Sequence, residues 1–219
     1  MRAVIFDLDG TLADTSADLL AAANGCFRDL GLGDLLGPAD AGTALRGGRA
    51  MLTLGFERVE GFGTVDVAAH YPRLVRRYEE AICEATVLYP GTVEALERLR
   101  AGGYRTGICT NKPERLSAIL MDRLGARHLF DSLVAADTLH VMKPHPEPLV
   151  EAVRRAGGDV SRSCLVGDSD TDRATARAAG VPSILVTFGP SGAAMAALEP
   201  EVLLDSFDGL WDAVEALAL

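Results

Sequence analysis

Apolar residues recur along this chain in two rhythms, and the rhythm changes twice. The chain begins with an unbroken apolar run, Ala3-Val4-Ile5-Phe6, of the β-branched and aromatic kind that a strand buried on both faces requires. After Thr11 the spacing turns helical: Leu19, Ala23, Phe27 and Leu30 form one stripe that closes at Gly31. Between Gly31 and Gly63, Pro38 and the pair Gly47-Gly48 divide the chain into what read as short helices and loops. A longer stripe of Val67, Tyr71, Leu74, Tyr78 and Ile82 predicts a helix over Asp66 to Glu84, which Pro72 must kink or restart. No strand pattern is evident from Ala13 to Ala85, so this stretch predicts a small helical domain.

From Leu88 onward strand and helix patterns alternate. Thr92 to Ala101 reads as a helix that Gly102-Gly103 stops, and Thr106 to Cys109 as a strand ending at Thr110-Asn111. Pro113 opens a helix that carries Leu116, Ile119, Leu120 and Leu124. Leu133-Val134-Ala135 is a short strand, Pro148 to Ala156 a helix, and Cys164-Leu165-Val166 a strand running into Gly167-Asp168. A further helix leads to Gly180, and Ser183 to Val186 and Val202 to Leu204 are strands before a last helix through Trp211, Val214 and Leu217.

Apolar strands alternating with amphipathic helices predict an α/β fold, a Rossmann-like parallel sheet with helices on both faces. The first strand belongs to that sheet. The expected division is therefore an α/β core of residues 1–13 and 86–219 with a helical insertion of residues 14–85, placed just after the first strand and well situated for a lid. Ligands of such sheets gather beyond the carboxyl ends of the strands. The residues there are Asp7, Thr110, Asp137 and Asp168.

The chemistry begins at Asp7-Leu8-Asp9-Gly10-Thr11. Side chains two apart on an extended segment project to one side, so Asp7 and Asp9 can face one reaction centre while Leu8 turns away. Read alone, Asp-x-Asp-Gly could equally be a plain turn. Two close carboxylates are tolerable when a cation lies between them or one keeps its proton, and either state serves phosphoryl transfer. A second acidic cluster, Gly167-Asp168-Ser169-Asp170-Thr171-Asp172, follows another apolar strand. Asp7 and Asp168 together meet the demand of magnesium for hard oxygen ligands. Capping of a helix is the structural alternative, and it suits Asp170 better than Asp168. Thr110 and Lys143 can donate to phosphate oxygens, with Lys143 restricted by Pro144, Pro146 and Pro148 rather than left as a solvated charge.

Composition narrows the partners. The net charge of −10 and a pI near 4.8 argue against nucleic acid or an anionic membrane. The same charge favours a divalent cation as mediator for a phosphorylated substrate. Cys26, Cys83, Cys109 and Cys164 are scattered and form no disulfide framework or zinc motif, and Cys109 and Cys164 sit in apolar runs. Only four consecutive apolar residues precede Asp7, too few for a signal peptide, and no stretch approaches a membrane span, so a cytoplasmic location is expected.

Taken together, Asp7-Leu8-Asp9-Gly10-Thr11, Thr110-Asn111-Lys112, Lys143-Pro144-His145-Pro146 and Gly167-Asp168 through Asp172 resemble the four ordered motifs of the haloacid dehalogenase-like hydrolases. Thr-Asn-Lys-Pro and Lys-Pro-His-Pro-Glu-Pro are similar to the phosphoglycolate phosphatase branch. The resemblance implies a helical cap after the first motif, Asp7 as a nucleophile that forms an aspartyl-phosphate, and Asp9 as the acid and base. Spacing alone does not separate those two roles. It also implies Mg2+ held by Asp7, Asp9 through its backbone carbonyl, and Asp168, with Asp172 supporting them. Thr110 and Lys143 would hold the phosphoryl group and Asn111 would line the pocket.

The expected function is a magnesium-dependent phosphatase of a small phosphorylated metabolite, with 2-phosphoglycolate first. Sugar phosphates, pyrophosphate and nucleotides are alternatives, as are a phosphomutase or a binding protein without turnover. Asp9 argues against dehalogenation, and Gly167 in place of the usual mutase glutamate argues against mutase chemistry. Arg46 could grip a substrate carboxylate or be surface charge, and His145 is expected to shape its loop. His70, His128 and His140 have no companions at ligand spacing. Oligomeric state is left open by the sequence.

Overall fold

β1 (Ala3–Phe6) is buried at every residue and pairs on both sides in parallel, with β2 (Arg105–Cys109) on one side and, on the other, the strand that starts at Ser163. A computed structural model describes residues 1–219, apart from the side chain of Ala193. The remaining strands of this sheet are β3 (Ser132–Val134), β4 (Ser163–Gly167), β5 (Ser183–Val186) and β6 (Val202–Leu204). Along the sheet they run β3-β2-β1-β4-β5-β6, all parallel. The order reverses between β1 and β4, so this is the switch point at which an open α/β sheet leaves a crevice beyond its strand ends.

Parallel strands need both faces covered. Ala3 and Ile5 face one way and join Cys109, Val134 and Leu165 in an apolar cluster with Leu149, Ala152, Val153 and Ala176. The last four belong to two helices, residues 147–155 and 170–179. Val4 and Phe6, pointing the other way, are also fully buried, and Phe6 meets Phe130 edge-on at 6.1 Å.

The chain divides into two compact units, Met1–Asp14 with Leu88–Leu219, and Thr15–Val87. The second is helical, with α1 (Ser16–Asp29), α2 (Ala41–Leu45), α3 (Gly48–Glu57) and α4 (Thr64–Glu80). The first carries α5 (Thr92–Ala101), α6 (Glu114–Arg123), α7 (Glu147–Arg155), α8 (Asp170–Ala179) and α9 (Leu210–Ala216). No helix among the described residues is long and apolar enough to cross a membrane.

Of the two alternatives at Pro72 the restart is excluded, and one expectation needs correction. α4 runs unbroken through Pro72. The carbonyl that proline leaves without an amide partner belongs to Ala68, an exposed residue, where water can satisfy it. Ala13–Asp14 is a two-residue strand in a stretch that showed none, because two residues are too few for an alternating pattern.

Inside the helical unit, buried Asn24 donates to the Leu36 carbonyl at 2.8 Å and accepts from the Leu35 and Leu36 amides at 3.1 and 3.0 Å. Asp18 does the same for the far end of the unit, accepting from Ala85 and Thr86 amides, each at 2.9 Å. α1 and α3 approach closely at Gly55, where an added Cβ would lie 2.1 Å from the Phe27 ring. Gly55→Ala is therefore expected to destabilise the protein by about 1–3 kcal/mol through overpacking, despite alanine's better helix propensity. Urea unfolding followed by helical circular dichroism checks this, and an unchanged or higher midpoint would contradict the close packing.

Candidate active site

Asp7 stands one residue past β1 and is still held by the sheet, its amide donating to the Val166 carbonyl at 2.9 Å. Its Oδ1 accepts from the Leu8 amide at 2.7 Å. Leu8 turns into the core, as the two-residue period requires. Gly10, with φ at +84°, then lets the chain fold back so that Leu12 and Ala13 donate to the Leu8 carbonyl. The turn also delivers Thr11, whose hydroxyl donates to Asp168 Oδ1 at 3.0 Å.

On the neighbouring strand, β4 ends at Gly167 and α8 begins three residues later. Ser169 caps α8 by accepting from the Asp172 amide, and its hydroxyl donates back to Asp172 Oδ2 at 2.5 Å. Asp172 thereby folds over Gly167, where a Cβ would sit 2.4 Å from the Asp172 side chain. Only glycine fits beneath it. Asp170 lies in the first turn of α8, whose cap is Ser169 and not Asp170.

Carboxylate oxygens of Asp7, Asp168 and Asp172 lie within 4.8 Å of one another. Lys143 supplies a buried positive charge, its Nζ 2.6 Å from Asp172 Oδ1 and 3.1 Å from Asp7 Oδ1. Burial pulls the Lys143 ammonium down, but the Asp172 and Asp7 carboxylates more than offset this and hold it above the ordinary lysine value. One ammonium does not balance three carboxylates. Burial, with Asp172 and Asp9 adding repulsion, pushes Asp7 up to about 6 against the opposing pull of Lys143. Burial and the charges of Asp172 and Asp7 drive Asp168 well above the carboxylate range. A buried cluster of hard oxygens that is short of positive charge fits a divalent cation of the magnesium type.

Asp9 has a different neighbour. Lys112 Nζ reaches its Oδ1 at 2.9 Å and its Oδ2 at 3.2 Å. This contact was missed in the sequence, where Lys112 stood only as the last letter of Thr-Asn-Lys. Thr110, buried at the end of β2, accepts from the Lys112 amide at 3.2 Å through its hydroxyl oxygen. Asn111 donates to the Lys143 carbonyl at 2.9 Å and so braces the proline-rich loop. In that loop His145 is exposed, its Nδ1 accepting from the Glu147 amide at 3.2 Å. Asp137, the remaining strand-end residue, is exposed and accepts from the Glu114 amide at the start of α6. Arg46 belongs to the helical unit, exposed at the end of α2.

Residues 4–186 match the model of a family described as haloacid dehalogenase-like hydrolase. The chain belongs to the haloacid dehalogenase-like hydrolases. Among its relatives, phosphoglycolate phosphatase from Agrobacterium fabrum is 37% identical over 211 residues, covering 96% of this chain and 91% of the relative. Phosphoglycolate phosphatase from Salmonella typhimurium is 35% identical over 234 residues, covering 98% and 92%. A crystal structure of a predicted phosphoglycolate phosphatase from Haemophilus somnus superposes with a TM-score of 0.85 at 26% identity, covering 97% of each chain. The chain is thus an enzyme, a hydrolase whose relatives at this similarity are phosphatases.

The haloacid dehalogenase-like site has a measurable electrostatic signature. A carboxyl whose folded value is about 6 against 3.8 unfolded adds stability below pH 4 and loses it as the pH rises through 6. At pH 8 the ionised Asp7 of chelator-treated protein is a liability on the order of 2–3 kcal/mol. Asp7→Asn is expected to melt several degrees higher than wild type at pH 8 with chelator, to lose that margin near pH 4, and to show it narrowed by magnesium. A variant that melts lower than wild type at pH 8 would mean that the carboxylate is not crowded.

Proposed function

We propose that this hydrolase is a magnesium-dependent phosphatase that cleaves a small phosphomonoester through an aspartyl-phosphate on Asp7, with 2-phosphoglycolate as the substrate. The observation that carries the reading is the separate pairing of two aspartates two residues apart. Asp7 sits with Asp168, Asp172 and Lys143, whereas Asp9 sits with Lys112. That difference supports assigning attack to Asp7 and proton transfer to Asp9, which spacing alone left undivided. The names of the relatives and the Thr-Asn-Lys and Lys-Pro-His-Pro motifs support the substrate.

Asp7, the backbone carbonyl of Asp9, and Asp168 would hold magnesium, with Asp172 steadied by Ser169 and Lys143 behind them. When bound, magnesium offsets the charge of the carboxylates and of the phosphate oxygens. An Asp7 oxygen attacks phosphorus in line while the bond from phosphorus to the substrate oxygen breaks, and Asp9 gives its proton to the leaving alkoxide. Asp9, now a carboxylate, takes a proton from water. The water oxygen attacks the phosphoryl group and releases phosphate and Asp7, leaving Asp9 protonated for the next turn. An ammonium has three N–H donors; Lys143 directs one at Asp172 and lies 3.1 Å from Asp7 Oδ1 as an ion pair. Its remaining donors are proposed for the phosphoryl oxygens, as is the hydroxyl hydrogen of Thr110. Asn111 contributes by fixing the loop that presents Lys143.

The helical insertion is the proposed specificity domain, and Arg46 the proposed partner of the substrate carboxylate, since a guanidinium fork matches it. The four free cysteines suit a reducing, cytoplasmic setting. Phosphate release from a panel of 2-phosphoglycolate, sugar phosphates, pyrophosphate and nucleoside monophosphates, with magnesium and with chelator, tests the proposal. Phosphoglycolate is expected to lead, chelator to silence it, Asp7→Asn to abolish turnover and Asp9→Asn to slow it by about 10²–10⁴-fold. A flat but magnesium-dependent panel would remove the substrate and leave the mechanism, and an Asp9→Asn variant as fast as wild type would remove the acid–base assignment.

A further inference from the structure

Lys112 is a lysine in an unusual place. Its side chain is 4% exposed, although lysine is almost never buried without a partner. Its backbone is fixed from two sides, the amide donating to Thr110 Oγ1 at 3.2 Å and the carbonyl accepting from the Ala136 amide at 3.1 Å. The side chain then spans from the end of β2 to the end of β1 and meets both oxygens of Asp9.

A buried ion pair is a weak source of stability, and an apolar residue of similar length would fill the same space. What only a cation can add here is a fixed carboxylate. The terminal torsion of an aspartate is broad, so an unheld Asp9 carboxylate would sample many planes. Lys143, the buried lysine beside Asp7, already carries Asp7 and Asp172. Two ammonium groups thus divide the two motif aspartates between them. Each keeps its own carboxylate from turning toward the other's. Each carboxylate oxygen has two lone pairs, so contact with Nζ does not by itself use up the capacity of an oxygen to take a proton. Proton transfer is sensitive to placement, with errors of about 1 Å costing as much as 10²-fold.

We propose that Lys112 is a positioning residue, which acts through Asp9 by holding its carboxylate where the leaving oxygen, and later the water, must meet it. The inference rests on the acid–base role proposed for Asp9. It distinguishes Lys112 from Lys143, which is proposed to touch the phosphoryl group itself.

The test uses magnesium-loaded wild type, Lys112→Met, Lys112→Arg, Asp9→Asn and the double variant of Lys112→Met with Asp9→Asn, each checked for its melting temperature. Two substrates are compared, 2-phosphoglycolate, with a poorly leaving alkoxide, and an aryl phosphate whose phenolate leaves with little need of a proton. Lys112→Met is expected to lower kcat on phosphoglycolate at least tenfold, with KM moved by no more than about threefold and a clearly smaller loss on the aryl phosphate. Lys112→Arg should recover part of the loss, and adding Lys112→Met to Asp9→Asn should cost nothing further. Equal losses on both substrates, or losses that add in the double variant, would overturn the proposal in favour of a general structural role. A rise in KM alone would overturn it in favour of substrate binding. Should Lys112→Met fail to fold, Lys112→Gln against Lys112→Arg decides by the same comparison. If Asp9→Asn is slow while the Lys112 variants match wild type, only this inference falls, whereas a fast Asp9→Asn removes the acid–base reading beneath it.

Discussion

Too many carboxylates in too little water is the condition around which the α/β unit of this protein is arranged. Asp7, Asp168 and Asp172 converge at the ends of two adjacent strands with one buried ammonium among them. Left in isolation, such a cluster would hold protons or repel itself apart. The surrounding residues are largely explained as means of keeping it together: Thr11 donating to Asp168, Ser169 donating to Asp172, Gly167 making room for Asp172, and Lys143 reaching in from a loop that Asn111 braces. Each is local and inexpensive on its own. Together they hold a charge imbalance that a divalent cation and a phosphate can use.

The sheet sets where this occurs. β1 is apolar and buried at each of its four positions, and Ile184 to Val186 continue such a run after Ser183, so both are legible as apolar runs; Val202–Leu204 is an equally apolar run although Leu203 on this edge strand is exposed. Strand ends then follow from the first polar residue after each run, and Asp7, Thr110 and Asp168 were read that way. Asp137 shows the limit of that logic. It ends a strand but turns to cap α6, because β3 lies at the edge of the sheet, away from the switch point.

The segment from Gly31 to Gly63 holds the short helices and loops that its breaks predict, but their bounds are not legible in the sequence, for a definable reason. Its order comes from side chains bonded to distant partners: Asn24 to the backbone of Leu35 and Leu36, and Arg58 to the Asp40 carboxylate and the Leu35 carbonyl. Such contacts have no period. Lys112 was overlooked by the same mechanism, since a lysine after Thr-Asn reads as a solvated charge until burial is known. Spacing alone does not tell Asp7 from Asp9, because which lysine each one meets is set by the fold and not by distance along the chain.

The strand order also bears on how the chain is made. Within the sheet β1 comes first in chain order, yet its partners on either side are Arg105 and Ser163 against Ala3, more than 100 residues later. Loop closure over such spans is slow, and an unpaired apolar strand is open to wrong partners meanwhile. The helices of residues 15–87 make their contacts within their own span and emerge directly behind it. The strand that leads into Asp7 is thus the one whose two neighbours lie farthest along the chain, and the carboxylates that meet Asp7 follow the later of them.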